Sequence, residues 1–253
     1  MTSDGWFVRL ALALVACAAI GAPARAAGEV RVAVAANFTA PAKEIAEAFE
    51  RESGGPVILS FGSTGQLFTQ IAHGAPYDVF LAADSVRPEK AVADGLAVAG
   101  SRFTYATGTL VLYSTDPGLV TGPETLSAGT FQKLAIANPE TAPYGAAAVQ
   151  VLEALGVYGE IAPRLVRGGS IAQTYQFVAT SAAELGFVAL SQVIDVTDGS
   201  RWQVPASLHD PIAQDAVLLS EGEASPAAAA FLTFLKGPQA RAVIERYGYG
   251  LVD

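Results

Sequence analysis

Two stretches decide how this chain folds: Val30–Phe38, VRVAVAANF, and Phe61–Leu67, FGSTGQL. Each reads as a buried strand that stops at small polar residues and turns directly into a helix. VRVAVA alternates β-branched with small residues, and PVILSF is a short apolar run, so both suit a parallel sheet covered on its two faces. Asn37-Phe38-Thr39-Ala40-Pro41 follows the first strand, and Pro41 is tolerated only in the first turn of a helix. After the second strand, Ser63 and Gln66 have the spacing of a capping box. Two helix N-termini are therefore expected at one edge of one sheet. Open α/β sheets bind ligands at that edge, and the free N–H groups and partial positive charge there suit an anion.

Outward from these stretches, Ala42, Ile45, Ala46 and Phe49 recur at helical spacing, with Lys43, Glu44, Glu47 and Glu50 on the other face. A third strand, Tyr77–Ala82, and a helix at Pro88–Ala93 complete three strand–helix units, which predict a right-handed, mostly parallel sheet. The character changes after Gly100. Phe103–Ala106 and Leu110–Tyr113 are β-like on either side of Thr107-Gly108-Thr109, which reads as a crossing into a second lobe. That lobe has strand Lys133–Ala137, loop Asn138–Gly145 and a helix from about Ala146. Strand-like Leu165-Val166, loop Arg167–Ser170, helix Ile171–Ser181 and strand Gly186–Leu190 follow, so two more strand–loop–helix junctions appear. Strand Ala213–Leu219 leads back to the first lobe, where helices Pro226–Leu235 and Pro238–Tyr247 pack. The expected fold is α/β and two-lobed. Lobe I takes residues 28–107 and 213–253, lobe II residues 108–212, and strands near Thr107–Leu110 and Ile212–Val217 form a hinge.

The leader reads as a removed signal peptide over residues 1–27. Arg9 precedes the apolar run Leu10–Ala22, and Ala24-Arg25-Ala26 supplies an A-x-A cleavage pattern. The lone cysteine, in Leu14-Val15-Ala16-Cys17, also fits a lipoprotein box, a minor alternative. Without the leader the chain has no cysteine, hence no disulfide and no thiolate metal site. The net charge of −9 comes with no basic cluster to neutralise phosphates, which argues against nucleic acid. Any anion site here must use neutral donors.

The segments AVAANF, FGSTGQL, GAPYDVFLAAD (Gly74–Asp84), ANPETAPYG (Ala137–Gly145), LGFVALS (Leu185–Ser191) and FLKGPQARAVIERYGY (Phe234–Tyr249) resemble, in order, the periplasmic molybdate-binding proteins of ABC importers. The resemblance implies a type II periplasmic-binding fold whose lobes close over a tetrahedral oxyanion, with no cofactor. It also implies a monomer in the periplasm that delivers molybdate or tungstate to a membrane permease. Carried over by motif, the contacts fall on Ala36 and Asn37, on Thr64 with Ser63 beside it, on Tyr144, and on the backbone N–H of Ile171. The family's serine in the first loop is Asn37 here, and a tyrosine that many members carry is Ala189, so Tyr144 is expected to supply the missing phenol. In such a cage the Asn37 amide, the Ser63 and Thr64 hydroxyls, the Tyr144 phenol and helix-start N–H groups all donate. A donor-only cage disfavours protonated phosphate by roughly 1–3 kcal/mol, because its proton finds no acceptor.

Taken singly, Ser63, Thr64 and Asn37 are ordinary helix caps, Tyr105, Tyr144 and Tyr175 ordinary core or rim aromatics, and Arg164 and Arg167 solvated charge. The argument rests on four such junctions from two halves of the chain. Rival readings are the same fold with sulfate, a ferric ion or a small organic solute, a regulator's effector domain, and, more remotely, a hydrolase. Ser63 lacks the glycine two residues on that a nucleophile elbow needs, and only His73 and His209 exist. A zinc site is correspondingly improbable.

Overall fold

The computed structural model describes residues 28–53 and 55–252. The leader and its Cys17 lie outside the described residues. The strands are β1 (Val30–Ala35), β2 (Val57–Gly62), β3 (Val79–Leu81), β4 (Phe103–Gly108), β5 (Leu110–Ser114), β6 (Leu134–Ala137), β7 (Leu165–Gly168), β8 (Leu185–Ala189), β9 (Ser200–Gln203) and β10 (Ile212–Leu218). The helices are α1 (Thr39–Ser53), α2 (Thr64–Ala72), α3 (Val86–Ala93), α4 (Glu124–Ala128), α5 (Pro143–Ala154), α6 (Tyr158–Ile161), α7 (Ile171–Ala179), α8 (Leu190–Val193), α9 (Pro226–Leu235) and α10 (Pro238–Arg246).

They form two five-stranded sheets of one design, ordered β2-β1-β3-β10-β4 and β7-β6-β8-β5-β9. In each, three neighbouring strands are parallel and two antiparallel strands extend the sheet on one side. The parallel part carries the strand–helix junctions. β1 and β2 run in register to their ends, Ala35 opposite Gly62, so the 3-10 turn Ala36–Phe38 and helix α2 start side by side. β6 and β7 end in the same way, Ala137 opposite Gly168, and place the starts of α5 and α7 together.

β1 is central, and five of its six residues are buried, as its apolar run requires. Phe38 packs edge-on against Tyr105 and Tyr249, with ring centroids 4.9 and 5.3 Å away, and Phe49 meets Phe231 at 5.3 Å. The C-terminal helices α9 and α10 thus cover the first sheet. Leu112, Phe131, Ile136, Leu152 and Phe187 centre the core of the second, and Ala35, Ala36 and Ala83 of the first sheet's edge pack into that same core. The two halves are closed on each other. Among the described residues two connections join them, β4 to β5 through Thr109 and the segment leading into β10. β10 carries a register irregularity at Gln214/Asp215, and both side chains are fully buried. Asp215 is held by Arg102 and by the Thr104 hydroxyl at 2.7 Å.

Among the elements read from sequence, α5 is longer than expected at its start. It starts at Pro143, three residues before the helix read from sequence, because Pro at the first helical position needs no N–H partner. Tyr144 therefore lies in a helix's first turn and not in a loop.

Candidate functional site

All six residues singled out from sequence, Ala36, Asn37, Ser63, Thr64, Tyr144 and Ile171, line one small cavity between the sheets. Ala35, Ala83, Ala142 and Pro143 complete the lining, which has no charged side chain. Its free space is about 10 Å³ for the centre of a water-sized sphere, roughly the room of one water. A wider groove of about 300 Å³ lies beyond Ala83 and Pro143. Its wall carries the Asp84 and Asp210 carboxylates together with Arg87, which pairs with Asp84.

The cavity is built from helix beginnings. α2, α5 and α7 start on it, and so does the 3-10 turn that leads into α1. The first-turn N–H groups of a helix have no carbonyl partner within it and carry its positive dipole end. The amides of Thr64, Tyr144 and Ile171 are of this kind.

Ser63 sits at the N-cap of α2 with extended backbone, yet its hydroxyl makes no capping bond. The capping box read with Gln66 does not form. Ser63 is 3% exposed and its Oγ has no hydrogen-bond partner, whereas Ser170 and Ser225, at the N-caps of α7 and α9, accept from Gln173 and Ala228. A buried hydroxyl left unpaired costs about 1–3 kcal/mol, so its place at the cavity wall calls for a ligand acceptor. Thr64 Oγ1 accepts from the Ala83 N–H at 3.0 Å, which leaves its own proton to donate.

Asn37 and Tyr144 differ from expectation. The Asn37 amide does not serve the cavity: Nδ2 donates to Gln214 Oε1 at 2.8 Å and to the Tyr249 hydroxyl at 3.1 Å. The Tyr144 phenol accepts from Gln214 Nε2 at 3.2 Å. It lies so close to Gly108 that a Cβ there would come within 2.1 Å of it. Both side chains therefore belong to a buried hinge cluster behind the cavity. In that cluster Tyr105 donates to Gln214 Oε1 at 3.1 Å, and the Ser191 and Tyr249 hydroxyls donate to the Asn37 carbonyl at 2.9 and 2.8 Å. Burial pushes the Tyr249 phenol up to about 12 and holds Tyr105 and Tyr144 well above the ordinary value, so all three stay neutral.

Gln214 in the hinge strand, and Ser191 and Tyr249 at the ends of two quoted segments, were given no role of their own in the sequence reading. Gln214-Asp215 inside an otherwise apolar strand was the available signal, since buried polar pairs need a reason. Arg164 donates to the Gly129 and Phe131 carbonyls, at 2.9 and 3.1 Å, and Arg167 is exposed. Tyr175 stacks on Tyr113 at 6.3 Å, outside the cavity. Among the described residues no cluster of three or more His, Cys, Asp or Glu side chains is disposed to hold a metal cation.

Two mixed sheets closed over a small cavity at facing helix starts define a two-lobed solute receptor of the periplasmic binding type. The chain belongs to the bacterial extracellular solute-binding protein family, whose pattern it matches over residues 30–250. It is 56% identical over 248 residues to the molybdate-binding protein ModA of Azotobacter vinelandii, with 96% of each chain covered. To ModA of Rhodobacter capsulatus it is 54% identical over 239 residues, 94% of each chain. Among solved structures, the periplasmic molybdate-binding protein of Azotobacter vinelandii superposes with a TM-score of 0.86 at 41% identity, covering 88% of this chain and all of that one.

Proposed function

We propose that this protein is the extracytoplasmic receptor of an ABC importer, capturing molybdate or tungstate between its lobes and handing it to the membrane permease. It acts as a monomer and catalyses nothing. Lobe I comprises residues 28–107 and 213–253, lobe II residues 108–212. The similarity to two molybdate-binding proteins over nearly the whole chain supports the ligand.

The observation that carries the reading is Ser63, a buried hydroxyl that neither caps its helix nor pairs with protein, at a cavity otherwise lined by neutral groups. A dianion in that place is held by the Ser63 and Thr64 hydroxyls and by N–H groups at the helix starts. Each of these bonds is strengthened by the charge of the acceptor. Asn37 and Tyr144 contribute through their backbone, while their side chains fix the hinge. Since both lobes supply donors, ligand favours the closed form.

The test is a thermal melt with molybdate, tungstate, sulfate and phosphate in turn. At a hundred times Kd, linkage adds about 2.7 kcal/mol of stability. Molybdate and tungstate are expected to raise the melting temperature and phosphate to leave it unchanged. A melt unmoved by molybdate refutes the assignment.

A further inference from the structure

The lobes are also joined at a point outside the cavity lining. The N–H of Gly65, second residue of α2, donates across the cleft to the Thr141 carbonyl at 2.8 Å. Arg87 Nη2, from α3, donates to the neighbouring Glu140 carbonyl at 2.8 Å. Two consecutive carbonyls of one lobe II loop are thus gripped by two helix starts of lobe I. Neither Gly65 nor Arg87 lines the cavity. Yet Gly65 follows Thr64, and the gripped loop leads straight into Ala142, Pro143 and Tyr144 on the opposite wall.

Two features suit this contact to reversible closure. Asp84 accepts from the Arg87 N–H at 2.9 Å and pairs with its guanidinium, so Arg87 is already oriented by its own lobe and need break no ion pair when the lobes part. Gly65 is required for a steric reason and not a conformational one. A Cβ there would stand 2.9 Å from Thr141 Cα and 3.1 Å from its carbonyl oxygen, backbone atoms that cannot turn aside. Any side chain at 65 holds the lobes apart.

We propose that Gly65 and Arg87 form a latch that fixes the closed state and sets how long the oxyanion stays, without contacting it. The proposal rests on the receptor reading above. The experiment uses sodium molybdate with the wild-type protein, G65A and R87A, and measures affinity, release rate, ligand-free melting temperature and X-ray scattering with saturating ligand. Alanine is a better helix residue than glycine, so ligand-free G65A is expected to melt no lower than wild type. Its affinity falls by about thirtyfold or more, and its scattering stays extended where wild type contracts. R87A releases molybdate about tenfold faster, the loss of one charged hydrogen bond, and the release rate is the readout because the variant also removes the Asp84 ion pair. If wild type binds molybdate and both variants keep its affinity and release rate, the latch is overturned alone. If wild type does not bind, the receptor reading falls and the latch with it. Should G65A not fold, R87A decides: faster release sustains the latch, and an unchanged rate overturns it.

Discussion

Two buried polar regions stand back to back across Asn37 and Tyr144, and they are satisfied in opposite ways. In the hinge cluster the Asn37 amide, the Gln214 amide and the Tyr249 hydroxyl all donate to protein atoms within 2.8–3.2 Å. In the cavity the Ser63 hydroxyl pairs with nothing, and helix starts present amides that the fold leaves without carbonyls. The closed cluster reads as scaffold, and the open one is the proposed site. Residue type does not separate them, since both use neutral hydroxyls and amides. What separates them is whether donors and acceptors balance.

The sharpest way to break this contrast is to unbalance the hinge. Gln214→Leu removes the acceptor of Asn37 and Tyr105 and the donor to Tyr144, and is expected to cost about 3 kcal/mol of stability in urea unfolding. A loss below about 1 kcal/mol means that the cluster is not a scaffold. Ser63→Ala does the reverse. Ligand-free stability should hold or rise slightly, because an unpaired hydroxyl is removed, while calorimetry shows affinity weakened by about 1.5–3 kcal/mol. Equal losses in both measurements place Ser63 with the scaffold.

A third test uses alkali. Unfolded phenols ionise near pH 10, whereas burial keeps Tyr249 protonated up to about 12 and Tyr105 and Tyr144 well above their ordinary value. Above pH 10 the unfolded chain therefore binds fewer protons than the folded one. Stability is intact below that pH and declines between 10 and 12 by roughly 1.4 kcal/mol per pH unit for each such phenol. Tyr249→Phe should remove one phenol's share of that slope. The smallest effect belongs to Tyr144→Phe, about 1 kcal/mol of stability with affinity changed less than about threefold. A tenfold loss of affinity without a loss of stability returns the phenol to the cavity.

Much of this architecture was legible in the sequence. The strands of VRVAVA and VILSF, the helix after each, and helix α9 at Pro226–Leu235 follow from local pattern, and the structure gives them nearly the expected bounds. The six residues that line the cavity were found because each closes a strand or opens a helix, a position that sequence spacing records. The direction of a side chain was not recorded there. Asn37 and Tyr144 turn away from the cavity because Gln214 and Tyr249 await them, partners 70 to 212 residues distant. The Ser63 capping box failed for the same reason: local spacing permits the bond, and tertiary context leaves the hydroxyl unpaired. β9, whose residues alternate between half-buried and exposed, carried too weak a pattern to be read.

The reach of the Asn37 bonds also bears on when the molecule becomes competent. Its amide and carbonyl wait for Gln214, 177 positions away, and for Tyr249, 212 positions away, the latter beside Gly250, which pairs with Thr107 at the crossing between lobes. Contacts of such high sequence separation close late, after the loop entropy between them has been overcome. The first loop of the pocket is therefore completed by chain from the opposite end. Until the C-terminal segment docks, the Asn37 carbonyl lacks its Tyr249 donor and the first loop of the pocket is incomplete.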